Sequence, residues 1–120
     1  MTDTIGQAAA DNTDQDKNKK NEHLLSTIGL CARAGRLVIG TPMVCEALRK
    51  AGAVAGVLEA SDTSDNTHKK LSDKCGFYHT PLYRVSAEGA ALGHAVGKTG
   101  VVAAVAVTDK SLMQAIEKYL

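Results

Sequence analysis

Leu30-Cys31-Ala32-Arg33-Ala34-Gly35-Arg36-Leu37-Val38-Ile39-Gly40-Thr41-Pro42 carries a helix end, a strand and a helix start in immediate succession. Leading into it, Leu24, Leu25, Ile28 and Cys31/Ala32 recur at helical spacing from His23, and Gly35 supplies the stop. Leu37 to Ile39 is a short apolar run with two β-branched members, closed by Gly40. Thr41 and Pro42 then suit the N-cap and first turn of a second helix, whose stripe is Val44, Ala47, Leu48 and Ala51 and whose end is Gly52.

The alternation continues toward the C-terminus. Val54, Val57 and Leu58 read as a buried strand, and Ser61-Asp62-Thr63-Ser64-Asp65 as a turn with a helix cap. A third helix is expected from about Asp65 to Phe77, a strand from Pro81 to Val85 and a short helix from Glu88 to Val96. Val101 to Val107 is almost wholly apolar, as in a strand buried on both faces. Leu112, Ala115, Ile116, Tyr119 and Leu120 mark the apolar face of a last helix. Helices alternating with strands predict an α/β protein, a three-layer α/β/α sandwich around a small mixed sheet of about four short strands.

Toward the N-terminus the pattern stops. Residues 1–20 offer only alanines and an isolated Ile5 among Asp, Asn, Gln, Lys and Thr, too little apolar surface to order a chain. Residues 1–22 are therefore expected to be a disordered polar tail, and residues 23–120 one domain. At 120 residues and 44% apolar content, one core is what the chain can build. The tail holds five acids (Asp3, Asp11, Asp14, Asp16, Glu22) against three lysines (Lys17, Lys19, Lys20). Because the whole chain is +1, the remainder is +3, a balance that permits a nucleic-acid partner.

Three cysteines at uneven spacing make no disulfide framework and suit free thiols in a reducing cytoplasm. No apolar run approaches membrane-spanning length and no secretory signal pattern opens the chain, so a cytoplasmic protein without membrane attachment is expected. With no Trp and only four aromatic residues, a base-stacking platform is not expected.

The motifs that suggest catalysis are weaker than their structural readings. Gly93-His94-Ala95-Val96-Gly97-Lys98-Thr99 resembles a phosphate-binding P-loop but is one residue short, and it leaves a helix to enter a strand instead of the reverse. Gly97 reads better as a helix end, with Lys98 beside the negative pole of that helix. Cys75 and His79 are four apart, as are His68 and Ser72, but no second half-site accompanies them, so no metal is expected. Cys31, Cys45 and Cys75 fall on or beside apolar helix faces, where a cysteine acts as a small hydrophobe. The dispersed His23, His68, His79 and His94 form no acid/base cluster, and Lys69, Lys70 and Lys74 mixed with Asp65 and Asp73 read as a solvated face. No catalytic residue and no cofactor is expected.

Taken together, the segments resemble the L-seven-Ae/L-thirty-e ribosomal protein family, in its small bacterial ribosome-associated branch. The residues carrying the resemblance are Leu30 to Gly40, Ala60-Ser61-Asp62 leading through Asn66 to Leu71 and on to Lys74-Cys75 and Pro81, then Leu92 to Lys98 and Val105 to Lys110, within residues 23–117. The resemblance implies a non-enzymatic monomer that binds RNA kink-turns or related internal loops and associates with the ribosome. It implies an RNA surface at Gly40–Lys50, Asp62–His68 and Ser86–Gly93. Within it the expected contacts are Gly40 and Thr41 as a backbone phosphate seat, followed by Pro42, Met43 and Glu46. Arg33, Arg36, Arg49 and Lys50 would supply charge, Asp62 and Ser64 belong to the second-strand turn, and Ser86, Leu92 and Gly93 to a loop touching an extruded base. The chain departs from the family pattern where kink-turn binders carry an Asn-Glu pair and a lysine: here stand Pro42, Met43 and Glu46. Pro offers no side-chain hydrogen bond and Met only a weak acceptor. Exposed apolar residues at a former reading site motivate an alternative, a protein-interaction module on the same fold.

Overall fold

The structure is a computed structural model that describes residues 19–120. Helix α1 occupies residues 19–33, so the residues from 19 to 22, expected in the tail, already belong to a helix. Their side chains are polar, yet the turn they form leads straight into buried Leu24 and Ile28. The rest of the expected tail lies outside the described residues. The order continues β1 (Leu37–Ile39), α2 (Thr41–Leu48), β2 (Gly56–Glu59), α3 (Asp65–Phe77), β3 (Leu82–Arg84), α4 (Gly89–Ala95), β4 (Ala104–Val107) and α5 (Lys110–Glu117).

The four strands form one mixed sheet in the order β1-β4-β2-β3, with β4 antiparallel to both β1 and β2, and β2 parallel to β3. The apolar β4 is an interior strand, buried at every position like its neighbour β2, while the edge strands β1 and β3 are only partly covered. One face of the sheet packs Leu24, Ile28 and Cys31 of α1, Leu92 of α4, and Met113 and Ile116 of α5 against Leu58, Val105 and Val107. The other face packs Val44 and Leu48 of α2 and Leu71 and Cys75 of α3 against Val57, Ala104 and Ala106. The period-two alternation of β2 and β4 thus feeds two cores, which makes the three-layer α/β/α sandwich.

Helix starts and stops follow local chemistry. Ser64 caps α3 by accepting from the Thr67 N–H at 3.3 Å, and Asp109 caps α5 by accepting from the Leu112 N–H at 3.0 Å. The N-cap of α2 is Gly40, with Thr41 already helical, one residue earlier than the Thr-Pro pattern suggests. Gly40 sits at φ 94°, a region that a residue with a Cβ rarely enters, so the strand can turn into the helix there without strain.

The register decides what the fold does at one end. The Gly40 N–H donates to the Ala104 carbonyl, Ala104 pairs with Glu59, and Glu59 pairs with Arg84. Gly40, Ala104, Glu59 and Arg84 therefore form a row across the sheet. Helix α2 leaves from this row directly, α3 after residues 60–64, and α4 after residues 85–88. Three helix N-termini gather at one pole.

Candidate nucleic-acid interface

Among those three, α2 alone receives no hydrogen bond from a side-chain oxygen at its start. The first N–H of α4, from Gly89, donates to Asp62 Oδ1 at 2.8 Å, and α3 is capped by Ser64. Gly40 has no side chain with which to cap α2. The first-turn donor that stays inside is Val44 N–H, bonded to the Gly40 carbonyl at 2.9 Å, and Pro42 has none, which leaves the N–H groups of Thr41 and Met43 without a partner among the described residues. Two unpartnered donors at the positive end of a helix are one fewer than a helix without proline would present.

The residues expected to act together do not all meet here. Gly40, Thr41, Pro42 and Met43 share this pole with Asp62, Ser64 and Ser86. Pro42 and Met43 are exposed, Met43 to 59%. Lys50 lies past the far end of α2, about 13 Å from Thr41 at a helical rise of 1.5 Å per residue. Arg36 precedes β1, about 13 Å from Gly40 along an extended chain. Glu46 stands more than a turn into α2, exposed, with its carboxylate 3.5 Å from the Arg49 guanidinium. Leu92 is fully buried in the core beneath the sheet, and Gly93 is buried where α4 meets Gly100, so the solvent face of this segment is Ser86, Glu88 and Ala90. Asp62 is committed to the backbone of α4 and so fixes the loop after β2 against the start of that helix.

Charge near the seat comes from elsewhere. Arg33 at the end of α1, His94 on α4 and Lys98 just beyond it line a shallow groove with Ile39, the residue next to Gly40, and no carboxylate lines it. Sequence reading placed Lys98 at a helix end and could not see that the loop returns it beside β1. On the other side of the pole, the Arg84 guanidinium donates to the Ser61 and Thr63 carbonyls at 3.1 and 3.3 Å and holds the turn before α3 in place.

Sequence reading also missed a pair. Glu59, the last residue of β2, is fully buried, and both its carboxylate oxygens lie against His68 Nδ1 on α3, at 2.8 and 2.9 Å. An acidic residue closing an otherwise apolar strand was the available signal, but such a residue is usually solvated, and its partner lies nine positions away on another element. The cysteines are all free. Burial pushes the Cys75 thiol up to about 11, helped by nearby Cys45 and Glu59, and burial also raises that of Cys31, so neither is a nucleophile at neutral pH. Among the described residues no group of three or more His, Cys, Asp or Glu is placed to hold a metal ion, and no helix is long and apolar enough to cross a membrane.

Fold and pole together define a small α/β/α sandwich in which one of three gathered helix starts has no side-chain cap. The chain belongs to the ribosomal protein L7Ae/L30e/S12e/Gadd45 family, which it matches over residues 22–117. It is 42% identical over 83 residues, 69% of this chain and 80% of the relative, to the RNA-binding protein YlxQ of Bacillus subtilis (strain 168). To the RNA-binding protein YlxQ of Enterococcus faecium it is 35% identical over 74 residues, 62% of this chain and 70% of the relative. Among solved structures it is similar to a protein with unknown function from Bacillus halodurans C, at a TM-score of 0.71 and 35% identity, covering 80% of this chain and 94% of the other. The 15.5kD RNA binding protein of Giardia lamblia shares the fold at a TM-score of 0.65 and 19% identity over 84% of each chain.

Proposed function

We propose that this chain is a non-enzymatic, cytoplasmic RNA-binding protein that acts as a monomer, associates with the ribosome, and seats a phosphate of a kink-turn-like internal loop on the N-terminus of α2. The observation that carries the reading is that α2, alone among the helices whose starts gather at the pole, is uncapped. Thr41 and Met43 supply the backbone donors, and Arg33 and Lys98 in the adjoining groove supply long-range attraction. Arg36, before the start of β1, and Lys50, past the far end of α2, act on flanking phosphates. That the Bacillus and Enterococcus relatives are RNA-binding proteins supports RNA as the ligand. Ser86, Glu88 and Ala90 offer the neighbouring surface to an extruded nucleotide.

A kink-turn RNA titrated against a mutated duplex of equal length, at two salt concentrations, tests this. The expected result is binding that weakens steeply with salt and prefers the kink-turn by about a hundredfold, within the span of specific recognition. Equal, weak binding of both RNAs would refute it. Cosedimentation with ribosomes in a sucrose gradient tests the association, and its absence at low salt would remove that part. A second reading, the protein-interaction module, is favoured by one observation, the 59% exposure of Met43 beside exposed Pro42. A specific protein retained from nuclease-treated lysate by the wild type and released by Met43→Ser would favour it.

A further inference from the structure

The Glu59–His68 pair is weak evidence of stabilisation. Burying a carboxylate costs several kcal/mol after relaxation, and replacing such a pair by apolar residues of similar volume is commonly neutral or stabilising. The carboxylate is 0% exposed, whereas the imidazole is 45% exposed, so the pair joins the interior to the surface. Glu59 sits in the row that includes Gly40, and its side chain points to the same side of the sheet as Val57, the side covered by α2 and α3. The exposed edge of His68 therefore opens at the pole where α2 starts.

The hydrogen bond selects the tautomer of the neutral ring. An ionised carboxylate only accepts, so Nδ1 carries the proton it donates to Glu59, and in the neutral ring Nε2 is left as a lone-pair acceptor. The ring's hydrogen bonds among the described residues all pass through Nδ1, so this acceptor is unclaimed. Pro42 and Met43 give the pole no strong acceptor of their own.

We infer that Glu59 orients His68 as a hydrogen-bond acceptor for RNA, its Nε2 receiving an O–H or N–H from a ribose 2′-hydroxyl or a guanine amino group. The inference rests on the RNA-binding reading above. Glu59 is the positioning residue and His68 the contact. A 2′-hydroxyl contact would also let the site tell RNA from DNA.

The test combines a double variant with altered RNA. Glu59→Leu/His68→Leu should fold at least as stably as the wild type and bind a kink-turn RNA about five- to tenfold more weakly. Substituting 2′-deoxy sugars in the loop of that RNA, or inosine for its guanosines, separates the two donor sources. The substitution that removes the true donor should weaken wild-type binding by the same factor and leave the double variant unaffected. If the double variant binds like the wild type, or if both substitutions act equally on both proteins, the inference is overturned while the RNA-binding reading stands. Failure of the wild type to bind any RNA overturns both. A readout that does not depend on the variant is the nitrogen-15 spectrum of the His68 ring. It should show Nδ1 protonated and Nε2 bare, with Nε2 shifting when RNA is added. A proton on Nε2, or a ring indifferent to RNA, refutes the proposal.

Discussion

Gly93→Ala should unfold this domain more readily than any surface change at the pole, because the space for a methyl group is already occupied. A Cβ at Gly93 would overlap the Gly100 carbonyl oxygen, which is backbone and cannot rotate away. Relief requires residues 98–102 to move off α4. That movement strains two bonds that tie the segment down, Lys98 N–H to the Gly93 carbonyl at 2.8 Å and Val102 N–H to the Gly89 carbonyl at 2.9 Å. Two backbone hydrogen bonds are worth about 1 kcal/mol each, and overpacking adds about 1–3 kcal/mol. The expected loss is about 3 kcal/mol, a large part of the roughly 5–15 kcal/mol that holds a small domain together. By the usual scaling for small domains, that is a fall in Tm of about 12–24 °C. Gly76→Ala is the matched control, since a Cβ there meets nothing within 4 Å inside helix α3. It should stabilise by about 0.5–1 kcal/mol, because alanine is the better helix former. Urea denaturation followed by circular dichroism measures both, and equal effects, or a Gly93→Ala loss below about 1 kcal/mol, would refute the packing argument. At temperatures where Gly93→Ala is still folded, its RNA affinity should be close to that of the wild type, as befits a packing residue.

Three further outcomes follow from the same geometry. Pro42→Asn together with Met43→Glu restores a third first-turn donor and two base-edge groups at exposed positions. It should tighten binding to a kink-turn by about 1–3 kcal/mol per restored contact, and unchanged isothermal titration profiles would count against the seat at α2. Lys98→Ala should flatten the dependence of affinity on salt by somewhat less than one counterion, whereas Lys50→Ala, beyond the opposite end of α2, should leave it alone; the reverse ranking would move the RNA to the other pole. The Cys75 thiol, pushed from 9.0 to about 11 by burial, keeps its proton in the folded state at pH values where the unfolded chain has lost it. Stability from this group is therefore full below pH 9 and declines as pH rises toward 11, by about 2 kcal/mol, and Cys75→Ala should abolish that part of the alkaline decline in a pH series of denaturation curves.

Much of the fold was legible because its punctuation is local. Gly35, Gly52 and Gly97 all take the positive φ that their places after helices demand, and Ser64 begins α3 where the polar cluster suggested. The apolar run ending at Val107 announced an interior strand, although its regular part starts only at Ala104, because residues 101–103 still belong to the approach over α4. What sequence could not show was pairing across distance. The order β1-β4-β2-β3 places the last strand beside the first, and nothing in either run marks the other as its neighbour. For the same reason the candidate site was only half visible. Gly40 to Met43 was readable as a helix start, but that Gly40 and not Thr41 occupies the cap, and the separation of Arg36 and Lys50 from it, depend on the course of β1 and α2. The return of Lys98 to Ile39, the 27-residue reach of Asp62 to Gly89 and the joining of Glu59 to His68 are tertiary facts.

Backbone amide shifts during an RNA titration test, residue by residue, the proposed seat of RNA on the N-terminus of α2. With a kink-turn RNA, the largest changes should fall on Thr41, Met43 and Val44 and on Lys98, with Lys50 and the exposed Phe77 unmoved. Largest changes confined to residues 49–52 and 77–80, with Thr41 and Met43 still, would contradict it.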